Sequence, residues 1–151
     1  MVLLDSNIFI IDRFFPNDAV YPRNRAFVER LSDVEAGVSV FTLLEICGAA
    51  SFNLSARELS YWLYQFPAVY PVLVLDPFEM QARSAAEWME ECLGEVAEKI
   101  SQKMSFGDAV IVQQAEQYQV EALITWNTKD FLRRTTVPVW TPDGYLQKQG
   151  V

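Results

Sequence analysis

Four acidic side chains lie in short stretches that place a carboxylate at a strand end or in a first helical turn. These stretches are Leu3-Leu4-Asp5-Ser6-Asn7, Thr42-Leu43-Leu44-Glu45, Ser105-Phe106-Gly107-Asp108 and Thr125-Trp126-Asn127-Thr128-Lys129-Asp130. Grouped carboxylates can hold a divalent cation, which is the chemistry of metal-assisted hydrolysis. Gly107 directly precedes Asp108, and a glycine lets another segment approach its backbone closely. We therefore expect the fold to bring Asp5, Glu45, Asp108 and Asp130 together.

Each acid also has a purely structural interpretation as part of a helix cap. The capping patterns are Thr42-x-x-Glu45, Ser105-x-x-Asp108, Asn127-x-x-Asp130 and the turn after Asp5. Two observations favour a functional cluster instead. Glu45 and Asp108 stand in apolar runs, which predicts partial burial, and no Lys or Arg lies within four residues of either acid or of Asp5. Buried carboxylates without basic partners need protons or a divalent cation, and the cation is the better solution at neutral pH.

The composition excludes several kinds of catalysis. The chain has no histidine, which removes Ser-His-Asp and Cys-His catalysis and histidine metal sites. A metal would then be held by oxygen, which points to Mg²⁺, Mn²⁺ or Ca²⁺ rather than zinc. The net charge of −8 argues against broad electrostatic binding to nucleic acid. A bound cation would reverse that local charge, so a nuclease is not excluded.

The chain length and its apolar content predict one globular domain over residues 1–151. Cys47 and Cys92 lie in apolar helical contexts, which favours buried thiols in a reducing compartment over a disulfide. No apolar run reaches the ~18 residues of a transmembrane helix, and the N-terminus lacks the basic region of a signal peptide. We expect a cytoplasmic protein without a membrane partner.

Predicted strands alternate with predicted helices along the chain. Strands are predicted over residues 2–4, 38–40, 69–75, 122–125 and 137–140, with Pro138 placing the last at an edge. Helices are predicted over residues 8–11, 23–31, 42–50, 55–67, 76–94, 95–103 and 109–118, with Pro67 and Gly94 as breaks and a turn at 141–144. The alternation predicts an α/β fold with a mostly parallel sheet between helices. The four acids would then lie near the carboxyl edge of that sheet, where such folds bind ligands.

Taken together, these motifs resemble the PIN domain, most closely the VapC-type toxin ribonucleases of type II toxin–antitoxin systems. The matching segments are LLDSN around Asp5, TLLEI around Glu45, FGDAVIVQQA around Asp108 and LITWNTKDF at residues 123–131. The resemblance implies a three-layer α/β/α fold and Mg²⁺- or Mn²⁺-dependent cleavage of single-stranded or loop RNA. It implies Asp5 and Asp108 as metal ligands, with Glu45 completing or orienting the shell. It also implies a homodimer and a cognate antitoxin.

The fourth catalytic acid stays open between two positions. PIN domains often carry Asp where Asn127 stands, and Asp130 is the alternative, acting directly or through water. Ser6, Asn7, Thr125 and Asn127 are polar residues that could support the metal shell.

The basic residues and the aromatic residues each have more than one interpretation. Lys129, Arg133 and Arg134 would contact RNA phosphates or form an ordinary solvated face. Trp126 would stack on an unpaired base or pack in the core. The aromatic segment at residues 52–70 would belong to the core, a dimer face or a groove for a partner helix. Its large side chains are Tyr61, Trp62, Tyr64 and Phe66.

Three other functions are alternatives to an RNA endonuclease. A catalytically weakened PIN-like binding or scaffold domain would keep the fold and lose the chemistry. A flavodoxin-like phosphotransfer receiver also clusters acids at strand ends, but no predicted strand ends in the required Lys. A Rossmann dinucleotide enzyme is disfavoured because no G-x-G-x-x-G follows the first strand. The sequence does not identify an RNA target.

Overall fold

The computed structural model describes residues 1–76 and 84–150. Its strands are β1 (Val2–Leu4), β2 (Ala36–Ser39), β3 (Leu73–Leu75), β4 (Ala122–Ile124) and β5 (Val139–Trp140). They form one sheet in the order β3-β2-β1-β4-β5, and every pair is parallel. The predicted α/β class with a parallel sheet is confirmed, and β5 lies at an edge as Pro138 predicts.

Eight α-helices and one 3₁₀ helix (Leu31–Asp33) lie within this described part of the chain. The α-helices are α1 (Ser6–Phe14), α2 (Tyr21–Val28), α3 (Val40–Ala50), α4 (Ala56–Val69), α5 (Ala85–Ser101), α6 (Phe106–Gln117), α7 (Thr128–Phe131) and α8 (Pro142–Gln149). None of them is both long and apolar enough to cross a bilayer. The predicted helix start at residues 76–79 extends into residues that lie outside the described part.

The two faces of the sheet are covered by different helices, giving three layers. Val2 and Leu4 of β1 pack with residues of α1–α4 and α8, whereas Leu3 between them packs with α5 and α6. All three β1 side chains are fully buried, because a central parallel strand is covered on both faces. Strand β1 is thereby fixed on both sides, and the residues that follow it have a defined position at the carboxyl edge.

Two predicted helix breaks are wrong. Gly94 lies inside α5, where Trp88, Cys92 and Val96 follow at helical spacing and are all buried. Their burial outweighs the cost of one helical glycine, about 1 kcal/mol. Pro67 does not end α4 either. The chain kinks at Gln65, which has φ −118° and ψ 15°, and then continues as a helix to Val69.

Other element boundaries also differ from the prediction. Ser39, not Thr42, caps α3, since the Ser39 hydroxyl accepts hydrogen bonds from the backbone N–H of Phe41 and Thr42. Strand β3 has three residues, because residues 69–72 instead complete α4 and a connecting turn. The predicted turn at residues 141–144 opens α8, which the Thr141 hydroxyl caps.

The cysteines are free thiols, as the apolar contexts predicted. Cys92 is buried on α5, whereas Cys47 is only partly buried on α3. Burial raises the pKa of both thiols, so neither is poised as a nucleophile.

Candidate active site

Asp5 lies directly after β1 at the carboxyl edge of the sheet. Its backbone N–H donates to the carbonyl of Ile124, so the β1–β4 ladder fixes its position. Asp5 holds the N-cap position of α1, yet its carboxylate makes no capping hydrogen bond. The carboxylate instead accepts hydrogen bonds from two side chains at 2.6 Å, the Asn7 amide and the Thr125 hydroxyl. The capping interpretation of Asp5 is therefore wrong.

The polar residues around Asp5 form a network that joins the ends of β1 and β4. The Asn7 amide also donates to the Thr125 hydroxyl at 2.9 Å, and the Ser6 hydroxyl donates to the second Asp5 oxygen at 3.3 Å. The side-chain amide oxygen of Asn7 accepts a hydrogen bond from the backbone N–H of Trp126. The Thr125 hydroxyl accepts one from the backbone N–H of Asn127. Ser6, Asn7 and Thr125 thus contact the Asp5 carboxylate, while Asn127 contributes through its backbone.

The surroundings of Asp5 disfavour the ionised form of its carboxyl group. It is 9% exposed, and its pKa is raised from 3.8 to about 6. Burial is the main cause, the hydrogen bond from Thr125 opposes it, and the negative charges of Glu45 and Asp108 raise the pKa further. In the part of the chain that the structure describes, no Lys or Arg forms an ion pair with any of these three acids.

Asp108 lies in the first turn of α6 and is partly buried, as predicted. Ser105 caps this helix: its hydroxyl accepts from the Asp108 backbone N–H and donates to the Asp108 carboxylate at 2.6 Å. The predicted cap at Ser105 is confirmed. The same carboxylate remains close enough to raise the Asp5 pKa, so capping and membership of the acid group coexist.

Glu45 is exposed, which corrects the prediction that its apolar neighbours bury it. It lies on the outer side of α3, while Leu43 and Ile46 face the core. Its carboxylate rests against the backbone of α6, where a Cβ added to Gly107 would lie 3.2 Å from the Glu45 Oε1 atom. The glycine before Asp108 therefore allows the close approach that the sequence indicated, and the segment that approaches is Glu45 itself.

The fourth predicted acid lies on the short helix that follows β4. Asp130 is exposed on the short helix α7, and its contacts are made by its backbone, which accepts from the Arg134 guanidinium. Asn127 is exposed at the N-cap of α7 without a side-chain capping bond. Lys129 and Arg133 are exposed beside them, whereas Arg134 is partly buried. The structure leaves the choice between Asn127 and Asp130 open.

Trp126 is tied to the core rather than presented for stacking. Its indole N–H donates to the Asn24 carbonyl oxygen at 2.8 Å, and the Arg23 guanidinium lies 5.1 Å from its ring centre. Asn24 is fully buried and also donates to the carbonyl of Ile8 on α1. Sequence reasoning missed Asn24, although its place on the apolar face with Phe27, Val28 and Leu31 was a signal. This contact favours the packing interpretation of Trp126.

The arrangement of Asp5, Glu45 and Asp108 meets some but not all of the requirements of a site for a hard cation. Among residues 1–76 and 84–150, no three acidic or cysteine side chains are close enough to hold a metal ion. Mg²⁺, however, usually takes one or two carboxylates and keeps several waters. Asp5 and Asp108 offer carboxylate oxygens alone, and neither forms an ion pair with a Lys or Arg among the described residues. The donor chemistry therefore fits Mg²⁺ or Mn²⁺ at these two residues.

Two cavities bear on the aromatic segment and on the acids. A cleft of about 1070 Å³ lies between α1, α2 and α4 and includes none of the four acids. Tyr61 and Trp62 line it, while Phe66 is core and Tyr64 is exposed. A smaller notch of about 320 Å³ lies between α3 and α6 and has Glu45 in its wall. The aromatic segment thus divides between core, cleft and open surface.

Comparison with known proteins extends these observations. The sequence matches no protein-family model and no curated protein. Among solved structures, a chain of FitAcB from Neisseria gonorrhoeae has a TM-score of 0.61 at 18% identity, covering 94% of this chain and 98% of that one. A toxin–antitoxin complex from Klebsiella pneumoniae gives 0.58 at 21%, covering 94% and 98%. VapBC2 from Rickettsia felis, solved with a promoter DNA fragment, gives 0.56 at 19%, covering 93% and 99%.

These likenesses extend over almost the full length of both chains, and at such identities they establish the fold alone. The all-parallel sheet, the helices on both of its faces and the acid at the end of β1 agree with the expectation from the sequence motifs. The chain therefore has the PIN-like three-layer α/β/α fold.

Proposed function

We propose that this protein is a metal-dependent endoribonuclease that cleaves single-stranded or loop RNA in the cytoplasm as the toxin of a toxin–antitoxin pair. The observation that carries the proposal is the buried Asp5 carboxylate, which lies beside two like charges without an ion-pair partner among the described residues. A purely structural acid would form an ion pair or a side-chain capping hydrogen bond, and within residues 1–76 and 84–150 the Asp5 side chain forms neither. The similar solved structures, which include toxin–antitoxin complexes, support the biological setting.

In this proposal Asp5 and Asp108 hold Mg²⁺ or Mn²⁺, and Glu45 completes or orients the shell. When bound, the cation supplies Lewis-acid activation of a phosphodiester and of an attacking water. Asn7 and Thr125 hold the Asp5 carboxylate in one orientation through their 2.6 Å hydrogen bonds. The Ser105 hydroxyl does the same for Asp108 at 2.6 Å. These hydrogen bonds fix the orientation of each carboxylate.

The proposed partners follow from the same fold and charge. A cognate antitoxin with a basic segment would complement the net charge of −8. The cleft lined by Tyr61 and Trp62 offers a groove for a helix of that partner. Exposed Tyr64 is a candidate contact in a homodimer.

The first test is cleavage of a panel of structured and unstructured RNAs with Mg²⁺, Mn²⁺ or EDTA. Wild type should cut only with a metal, and Asp5→Asn and Asp108→Asn should each lower the rate by at least about 100-fold. Asp33→Asn, an exposed acid of the 3₁₀ helix, is the matched control and should cut normally. Normal cleavage by a folded Asp5→Asn protein would reject the proposal.

Two further variants address the fourth acid. Asp130→Asn should lower the rate if that carboxylate acts directly or through water, whereas Asn127→Ala should do so if the amide serves. A folded wild-type protein that neither cuts RNA nor binds Mn²⁺ in calorimetry would favour the scaffold interpretation instead.

A further inference from the structure

The notch between α3 and α6 adjoins the acid group and has a different chemical character. Its walls are formed by Phe41, Leu44 and Glu45 on α3 and by Phe106, Gly107 and Val110 on α6. Phe106 and Val110 are four residues apart on one helix face, as are Phe41 and Glu45. Apart from the Glu45 carboxylate and the buried Thr42, the side chains of this wall carry no hydrogen-bonding group. The notch is therefore an apolar slot that meets the acid group at Glu45.

The slot presents unusually exposed apolar side chains. Phe106 is 70% exposed and Leu44 is 51% exposed. Phe41 is held from behind, since its ring stacks on buried Trp88 with 6.4 Å between ring centres and an angle of 7° between planes. One wall is thus fixed and the opposite wall carries an aromatic ring open to solvent. Flat aromatic ligands suit such a slot, because ring faces stack without needing specific hydrogen bonds.

We propose that this notch binds one unpaired nucleobase of the RNA substrate, stacked on Phe106, while the adjoining phosphate lies at the acids. This inference rests on the proposed ribonuclease function and names the part of the substrate that the α3–α6 side recognises. The Glu45 carboxylate would repel a phosphate from the notch. Of the two uncharged parts of a nucleotide, the ribose and the base, the base alone has a flat aromatic face that can stack on Phe106. Gly107 lets Glu45 lie against α6, and this is where the two compartments meet.

The slot predicts how RNA is selected. Stacking does not require one particular base, since every base has a π face, so the notch requires an unpaired nucleotide and tolerates its identity. A paired base cannot enter, because it would first have to leave its helix at a cost in stacking and pairing. Cleavage should therefore occur next to nucleotides in loops and single strands with modest sequence preference at the stacked position.

The test follows the fluorescence of 2-aminopurine placed at each position in turn of a short unstructured RNA. An Asp5→Asn background prevents cutting during the titration. One position should lose fluorescence on binding, and Phe106→Leu should abolish that loss and weaken binding about tenfold, whereas Phe106→Tyr should retain both. Phe15→Leu, an exposed phenylalanine at the far end of α1, is the matched control and should behave as its parent.

The possible outcomes distinguish the proposal for the notch from the proposed nuclease activity. The proposal for the notch would be overturned if cleavage depends on Asp5 but Phe106→Leu changes neither RNA binding nor fluorescence. The proposed ribonuclease function would then still be supported. A Phe106-dependent signal without any cleavage would support the notch and reject the nuclease. A Phe106→Leu protein that changes only its sedimentation would overturn the proposal and assign the notch to a contact between copies. Absence of RNA binding by the folded wild-type protein in the presence of Mn²⁺ would overturn it as well.

Discussion

The Asp5 carboxyl shows how burial and neighbouring charges act on a single residue. Its position after a fully buried strand removes it from water, and its neighbours Glu45 and Asp108 add like charges. Three polar side chains compensate in part by donating hydrogen bonds to it. The balance remains unfavourable for the ionised form, because the pKa is raised to about 6. At neutral pH the Asp5 carboxylate is therefore ionised in an unfavourable environment, and a bound cation would stabilise its charge.

The raised pKa predicts how stability depends on pH. Because the folded state binds the Asp5 proton more tightly than the unfolded state, stability falls as pH rises from about 4 to about 6 and then stays low. Asp5→Asn should therefore be more stable than wild type in EDTA by up to about 3 kcal/mol at pH 8. The two proteins should converge near pH 4. Urea denaturation at both pH values measures this, and a variant no more stable than wild type at pH 8 would contradict it.

Metal should reverse the order of the two proteins. A ligand that binds only the folded state stabilises it by RT ln(1 + [L]/Kd), which is about 2.7 kcal/mol at a hundredfold excess over Kd. Adding Mn²⁺ should raise the Tm of wild type and leave that of Asp5→Asn nearly unchanged. Asp33→Asn should respond as wild type does. Equal Tm shifts in wild type and Asp5→Asn would place the cation elsewhere.

At the scale of single elements, glycine has opposite roles in two helices. The Glu45 carboxylate lies close to Gly107 of α6, whereas no atom of the described residues lies within 4 Å of a Cβ added to Gly94 of α5. Both are helical positions, where alanine is favoured over glycine by about 1 kcal/mol. Only at Gly107 does the absence of a side chain position another residue.

Exchanging each glycine for alanine should separate these roles. Gly107→Ala should leave stability unchanged or higher, since the flexible Glu45 side chain can move aside, but should lower RNA cleavage about tenfold or more by displacing that carboxylate. Gly94→Ala should raise stability by about 0.5–1 kcal/mol with normal cleavage. Thermal denaturation and cleavage kinetics on the same preparations decide this; a fully active Gly107→Ala protein would make the approach of Glu45 irrelevant.

Helix α3 illustrates how a buried cap positions an acid. The Ser39 hydroxyl is fully buried and accepts from two backbone N–H groups, at 3.0 Å from Phe41 and 3.5 Å from Thr42. Ser39→Ala should cost about 1–2 kcal/mol, because these donors would be buried without partners. The exposed cap Ser55→Ala on α4 should cost less, since water can replace its hydroxyl. Urea midpoints at constant m-value compare the two; equal losses would argue against the burial effect.

For the whole molecule, the net charge of −8 limits the electrostatic attraction to the proposed RNA substrate. Few cations are available beside the acids, so the electrostatic part of binding should be small and its salt dependence shallow. Lys129 and Arg133 are the exposed pair nearest the β4 end, and Arg134 is occupied by the Asp130 carbonyl. On the proposed function, most of the affinity would then come from the metal and from stacking.

Neutralising that pair tests the phosphate-contact interpretation. Lys129→Gln with Arg133→Gln should weaken RNA binding and flatten the slope of log K against log salt by about 1.4, at about 0.7 for each phosphate contact. The control changes Arg30 and Lys148, exposed cations elsewhere on the surface, and should leave the slope unaltered. Identical slopes for all three proteins would support a plain solvated face.

The sequence predicted the architecture better than the boundaries, for physical reasons. Short buried strands and the acids after them depend on local patterns, and the structure places Asp5, Glu45 and Asp108 within electrostatic reach of one another. The ends of α3, α4 and α5 depend on tertiary burial, which overrides a central glycine or proline. The contact between Asn24 and Trp126 and the notch at Phe106 arise between distant segments, so no local pattern could indicate these contacts.

The central position of β1 carries a consequence for how the protein is made. Strand β1 is synthesised long before its partner β4, and Thr125 contacts Asp5 across 120 positions of sequence. Such distant pairing makes folding slow, because a long loop must close before its contacts form. A nascent chain that ends before β4 already carries all three acids but has no partner to hold Asp5 in place. On the proposed function, the ribosome is therefore not exposed to an assembled RNA-cutting centre until β4 has emerged.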